Sequence, residues 1–273
     1  MKKKILKWTA LVLALALLGF LGFFANAMLG NPISKLLADR AAARYLQERF
    51  PGTDYVIDHT NFSFKDSCYH AFVESPTSTD TYFSVCVDML GKIRYDTYDS
   101  VESGWNTYTR LEEEYRALCK TIFENPAFPY PNNILYGRLE VFPREYIDDP
   151  SVPDIPDYAL VQDDLILDKV YDIHALGRQA GRLVVYVNSD TITFAEAARI
   201  MLEIRHAFDD AGIPFRAMDF CLQYPLPEEG PRPDENVWVE DFPYEDIFAE
   251  GLEQRIVDAH YALQEYYDSM DWK

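Results

Sequence analysis

From Trp8 to Leu29 the chain carries no charged side chain, and the run is preceded by Lys2, Lys3, Lys4 and Lys7. As a helix rising about 1.5 Å per residue it reaches about 33 Å, close to the roughly 30 Å of bilayer hydrocarbon. A helix also satisfies its own backbone polar groups, as lipid requires. The expectation is one N-terminal transmembrane helix, with membrane contact through residues 8–29. The one-sided lysines then stay cytoplasmic, which makes the C-terminal part extracytoplasmic, and Trp8 falls where an interfacial anchor belongs. The competing reading is a cleaved signal peptide, because Ala25-Asn26-Ala27 has the small-x-small form that permits cleavage after Ala27. Signal-peptide cores run to about 7–15 residues, so the longer run favours the uncleaved anchor. No cysteine lies near residue 27, which excludes lipid attachment at a processed N-terminal cysteine.

The net charge is −20, and −24 once the four N-terminal lysines are set aside. Nucleic acid is therefore not expected as a partner, since its binding relies on basic side chains neutralising phosphates. The same repulsion acts on anionic headgroups and polyanionic polymers. A hydrophobic content of 48% with 15% aromatics excludes a disordered acidic tail. Four cysteines, Cys68, Cys86, Cys119 and Cys221, are too few for a disulfide scaffold and have no CxxC spacing. If one pair is bonded, Cys68 and Cys86 are the best placed, on neighbouring strands of an expected hairpin.

The organisation expected is α+β: after the anchor at 1–30, an α+β domain at 31–125, a linker at 126–133, and an α/β or α+β domain at 134–273. Residues 34–49 form a helix with Leu37, Ala41 and Tyr45 on its apolar face, closed by Pro51-Gly52. Strand-like runs follow at 55–64, 68–74 and 81–88, in which Ala71 and Val73 share a face with Phe83, Val85 and Val87. Gly91-Lys92 bends the chain into a further extended run through Tyr98. A helix beginning at a Thr109/Glu112 capping box, with Leu111, Tyr115, Leu118 and Ile122 on one face, closes a helix, antiparallel sheet, helix unit.

Asn125 to Asn132 is proline-punctuated, Ile134 to Val141 begins a new strand, and Pro143 to Asp157 is an irregular surface loop. Val170, Ile173 and Leu176 mark a short helix that Gly177 ends. Thr193 and Glu196 cap a long helix with Phe194, Ala197, Met201, Ile204 and Phe208 in line, stopped by Gly212. It lies between strands 183–187 and 215–224, a β-α-β unit with parallel strands. A proline-rich loop at 225–233 leads to a last helix carrying Phe248, Leu252, Ile256, Ala259, Leu263 and Tyr266.

Gly30-Asn31-Pro32-Ile33-Ser34-Lys35, Tyr95-Asp96, Ser103-Gly104-Trp105-Asn106-Thr107 and Ile213-Pro214-Phe215 together resemble the YfjL-like family of membrane-anchored bacterial proteins, over nearly the whole chain. The resemblance brings no activity, cofactor or catalytic residue with it. In element order the first unit is also similar to PepSY and cystatin-like modules, an analogy of fold alone.

His59, His70, His174, His206 and His260 show no HxH or HExxH spacing, so no catalytic zinc is expected and each reads as structural. GxSxG, P-loop and GxGxxG patterns are absent. The acidic pairs Asp148-Asp149, Asp163-Asp164, Asp209-Asp210, Glu240-Asp241 and Glu245-Asp246 lack EF-hand spacing and read as solvated surface. Trp105-Asn106-Thr107 reads as a turn ahead of a helix. No catalytic, cofactor-binding or metal residue is assigned, and no cofactor. The chain is read as a non-enzymatic binding or interaction module with a protein partner in the membrane or envelope. The rival, an extracytoplasmic hydrolase, requires a deep pocket with convergent carboxylates or a perturbed histidine. A third reading, a subunit of a membrane complex, requires an exposed apolar patch on the first domain.

Overall fold

The computed structural model describes residues 2–130, 134–153 and 155–270, with backbone alone at residues 2–7, 10, 23, 25 and 27. It forms two compact units, Met1–Asn106 and Thr107–Lys273. The α+β architecture with sheets stands as expected.

The first unit opens with α1 (Lys2–Leu29) and α2 (Pro32–Arg49). Among the described residues no helix is long and apolar enough to cross a membrane, and this corrects the expected transmembrane helix. The side chains of Lys2, Lys3, Lys4 and Lys7, and those of Ala25 and Ala27, lie outside the described residues.

Gly30 breaks the two helices apart with φ +69°, and a Cβ there would sit 2.5 Å from Tyr69 Oη and 2.8 Å from Phe62 Cγ. Asn31 then caps α2, its Oδ1 accepting from Ser34 N at 2.8 Å, while Pro32 takes the first turn, where its missing N–H costs nothing. The antiparallel sheet runs β1 (Val56–Ser63), β2 (Cys68–Glu74), β3 (Tyr82–Asp88) and β4 (Ile93–Asp96) in that order. Ala71 pairs with Val85, Val73 with Phe83 and Tyr69 with Val87, the shared face expected from the alternation. The buried stripe of α2 is Ala38, Ala41, Ala42 and Leu46. It is displaced by one position from the expected Leu37, Ala41 and Tyr45, and Leu37 is exposed.

α3 (Asp99–Glu102) leads to α4 (Trp105–Phe123). Its first turn is fixed by Asn106, whose buried Nδ2 donates to the carbonyls of Asp80 at 2.9 Å and Tyr82 at 2.7 Å. Thr109 is therefore inside the helix, not at its cap. From Thr107 on, α4 belongs to the second unit, where Leu111, Tyr115, Cys119 and Phe123 enter the core. The units divide at Asn106, not at the expected residue 125; of the expected linker 126–133, residues 131–133 lie outside the described residues.

In the second unit β5 (Leu135–Leu139), β8 (Gly181–Asn188), β9 (Ala217–Gln223) and β10 (Asn236–Pro243) form one sheet in the order β10-β9-β8-β5. β6 (Val141–Phe142) and β7 (Leu160–Val161) make a small parallel pair around α5 (Arg144–Ile147). β8 and β9 are parallel and α7 (Phe194–Ala211) connects them, the expected β-α-β unit. Thr193 caps α7 by accepting from Glu196 N at 3.2 Å, and Gly212 ends it in the left-handed region at φ +68°. Ile200, Met201, Ile204 and Phe208 pack against Leu183, Val185 and Phe220 of the sheet.

Two other expectations change. α6 is Ile173–Ala180, so Gly177 lies within it and Val170, 91% exposed, lies outside. The chain from 236 to 243 is a strand, not part of the approach to α8 (Leu252–Ser269), and Phe248 precedes that helix.

Candidate functional site

Three charged residues of the second unit are each flanked by apolar neighbours on both sides: Glu140 in Leu139-Glu140-Val141, Asp219 in Met218-Asp219-Phe220, and Arg182, which precedes Leu183 at the start of β8. The structure brings them together. Arg182 reaches Asp219 Oδ1 from Nη2 at 2.6 Å and from Nε at 2.8 Å, and Glu140 Oε1 from Nη1 at 3.5 Å. Arg138, directly across from Arg182 on β5, approaches the same Glu140 oxygen to 2.8 Å.

Burial pushes the Glu140 carboxyl above its usual range, against the pull of Arg138 and Arg182. Burial also opposes the Arg182 charge, but Asp219 and then Glu140 outweigh it and hold the guanidinium firmly protonated. Charges this buried persist only in such mutual pairing.

The cluster opens toward solvent through an irregularity. The β9/β10 register shifts between Val239 and Phe242, and Asp241 takes φ +49°. A bulge of this kind re-aims side chains. It presents Glu240 and Asp241 one after the other, with the Asp241 amide donating to Asp219 Oδ1 at 2.8 Å. Tyr158 donates to the Asp241 carboxylate, and burial, then this bond, raises the Tyr158 phenol pKa. Tyr267 of α8 donates to Glu240 Oε2 at 3.0 Å and stacks on Trp238 with ring centres 5.4 Å apart.

Two clefts meet at Leu263 on either side of this line. One, of about 300 Å³, is lined by Arg182, Asp241 and Tyr266; the other, of about 440 Å³, by Trp238, Tyr267 and Asp268. His260 forms the second cleft's floor, with Nδ1 2.9 Å from the Trp238 carbonyl oxygen.

A further cleft of about 470 Å³ beside Gly212 is cross-braced by its own charges. Arg216 meets Glu245 at 2.7 Å, and Tyr244 donates to Asp209 at 2.8 Å. Of the acidic pairs, Asp148-Asp149, Asp163-Asp164 and Asp209-Asp210 are exposed, and Glu240-Asp241 is the pair drawn into the candidate site. His174 Nδ1 lies 2.9 Å from the Gly212 carbonyl, and His59 stacks on Phe72 at 4.5 Å, next to Asp58. On the first unit, Phe72, Tyr82 and Trp105 line an apolar cleft of about 390 Å³. The sequence reading assigned no site residue and so missed Glu140, Arg182 and Asp219; the available signal was a charge set inside an apolar strand.

The model of the YfjL-like N-terminal domain matches residues 4–97, and that of the YfjL-like C-terminal domain matches residues 114–257. The chain belongs to the YfjL-like family. No curated protein and no solved structure matches it. The short motifs that carry the YfjL-like resemblance sit at structural junctions. Asn31 joins α2 to Tyr69, whose hydroxyl donates to the Asn31 carbonyl at 2.9 Å. Asp96 Oδ1 accepts from Tyr98 N at 2.9 Å, and the Pro214 carbonyl accepts from Tyr115 at 3.0 Å. The gap between the two matched segments, residues 98–113, contains the Asn106/Thr107 division between units.

Proposed function

We propose that this YfjL-like chain is a non-enzymatic interaction module whose second unit binds a protein segment bearing lysine or arginine side chains along the groove between β10 and α8. The observation that carries the reading is the stacked Trp238/Tyr267 pair set beside the acid-bearing bulge at Glu240 and Asp241. A cation over an aromatic face gains about 0.5–2 kcal/mol, more where water is excluded. Around the groove Glu140, Asp219, Glu240 and Asp241 face Arg138 and Arg182, an excess of negative charge that the chain's −20 reinforces at long range. The same arrangement weighs against the hydrolase reading. Asp219 is committed to Arg182 and the Asp241 amide, and Glu140 to two guanidiniums, which leaves both carboxylates poorly placed for proton transfer.

Titration calorimetry of the full chain with a lysine- and arginine-rich peptide tests this. Binding should weaken as salt rises, and Asp241→Asn, which keeps a residue tolerant of positive φ, or Tyr267→Leu should each weaken it about tenfold. Asp148→Asn, an exposed acid elsewhere, should leave it unchanged. Equal binding of a neutral peptide, or an unaltered affinity in both groove variants, overturns the assignment. The reading includes an extracytoplasmic location, supported by the lysine-led apolar run followed by Ala25-Asn26-Ala27, the sequence form of a cleaved export signal; a reporter fused after residue 273 and found in the cytosol removes that part.

A further inference from the structure

The exposed face of the first sheet carries a row of chemistry that the groove does not use. Asn61, His70, Cys86 and Tyr95 stand opposite one another on β1, β2, β3 and β4, so their side chains share the face turned away from α2. Cys68, two residues before His70, lies on that face diagonal to Cys86, and both cysteines are buried. The β1–β2 turn, with Ser67 at φ +55°, folds back over the row and brings Asp66 Oδ2 to 2.7 Å from His70 Nε2 and 3.3 Å from Tyr95 Oη. One donor atom each from Asp66, His70 and Cys86 lies within 4.8 Å of the other two. All four cysteines are free thiols.

We propose that Asp66, His70 and Cys86, with Cys68 as fourth ligand, form a zinc-class metal site on the first unit. The donor set is one carboxylate oxygen, one imidazole nitrogen and two sulfurs, which selects a borderline-soft, tetrahedral ion such as Zn(II) over Mg(II) or Ca(II). Bond lengths of about 2.0–2.3 Å to a tetrahedral ion set its donors about 3.3–3.8 Å apart, so Asp66 and His70 open from their 2.7 Å contact to admit it, a shift side-chain rotation supplies. The supports are rigid where the softest ligand sits: Cys86 is fully buried, on a strand paired on both sides.

His70 is part-exposed and Asp66 more so, which gives an ion a way in from solvent. Ligation through thiolate sulfur exchanges thiol protons for the cation, and the released protons go to solvent. The pattern is readable afterwards as Cys68-x-His70, two donors at the two-residue period that puts strand side chains on one face, preceded by Asp66 in the turn.

The test uses the full chain, reduced and stripped with a chelator, then titrated with Zn(II) by calorimetry and with Co(II) by absorption. The expected result is one equivalent bound, a thiolate-to-cobalt charge-transfer band, and more than about 100-fold weaker binding in His70→Asn and in Cys86→Ser. Cys119→Ser and Cys221→Ser, in the other unit, should bind as the unmodified chain does. Circular dichroism checks the fold of each variant. Should Cys86→Ser not fold, the part-exposed His70→Asn and Asp66→Asn decide the matter. No bound equivalent, a cobalt spectrum without a thiolate band, or a folded His70→Asn that binds unchanged overturns the site.

Discussion

Replacing Arg182 with methionine is expected to destabilise the second unit by about 3–5 kcal/mol at neutral pH, the usual cost of stranding a buried partner charge. Methionine fills much of the volume but leaves Asp219 without its guanidinium and Glu140 with Arg138 alone. The effect carries a pH signature. Glu140 has a folded-state pKa already raised above the usual glutamate range, chiefly by burial. A carboxyl of that kind lends stability that is full below the unfolded pKa and is lost as pH rises through the folded pKa. Removing Arg182 raises Glu140 further, so the penalty is greatest at neutral pH and shrinks as the solution is acidified toward the ordinary carboxylate range. Urea midpoints of both proteins across that interval measure it. A loss under about 1 kcal/mol at neutral pH, or a gap that does not narrow in acid, shows that the cluster is solvated and not a buried ionic core.

That cluster also explains why a chain with so many acids shows its chemistry so selectively. Most carboxylates lie on solvated surfaces, where each contributes little beyond net charge. Glu140 and Asp219 come with arginines on neighbouring strands, and the bulge at Glu240-Asp241 turns the edge of the same network outward. Groove and network thus share one backbone irregularity, which ties the shape of the proposed binding groove to the integrity of the interior.

Much of this fold was legible beforehand, and the failures have physical reasons. α7 was readable because cap, apolar spacing and terminal glycine agree, and β8 and β9 because continuous apolar runs mark strands covered on both faces. β10 was hidden by its own bulge: Val237 and Val239 alternate properly, then Glu240-Asp241 breaks the period before Phe242 resumes it. α4 began earlier than its apparent capping box because the Asn106 amide is held by carbonyls some 25 residues upstream, which local pattern does not reveal. Nor does an apolar helix face announce which sheet it covers, hence the misplaced boundary. The α2 stripe slipped by one position because alanine and leucine occur on more than one side of that helix. The proposed metal-ligand set escaped because it joins a turn residue, Asp66, to strand residues, with Cys86 supplied across a hairpin. The anchor expectation rested on the hydropathy of one run, and among the described residues no helix is long and apolar enough to cross a membrane.

The second large effect expected is on packing. Gly181→Ala should destabilise the second unit by about 3 kcal/mol, although Gly→Ala is ordinarily neutral or favourable where φ is negative. Gly181 has φ −74°, which alanine adopts without strain. Space decides the sign instead. A Cβ there would meet the Gly177 carbonyl oxygen and the Tyr115 hydroxyl inside contact distance, and Tyr115 Cζ at 2.7 Å. Neither neighbour can yield. The carbonyl belongs to α6 and accepts the Gly181 amide, while Tyr115 is wholly buried with its hydroxyl bonded to Pro214 O at 3.0 Å. Gly177 and Gly137 press on the same ring and on Cys119, so the tyrosine sits in a socket built of three glycines. Gly177→Ala makes the argument sharper, because a helix interior favours alanine by about 1 kcal/mol and a Cβ at 2.5 Å from Tyr115 Cε2 opposes it. Pairing Gly181→Ala with Tyr115→Phe should recover part of the loss, since the phenolic oxygen is one of the two closest obstacles. Thermal or urea unfolding of the single and double variants measures this. A stability change near zero in Gly181→Ala, or no recovery in the double variant, shows that the ring can move and that the socket does not hold it.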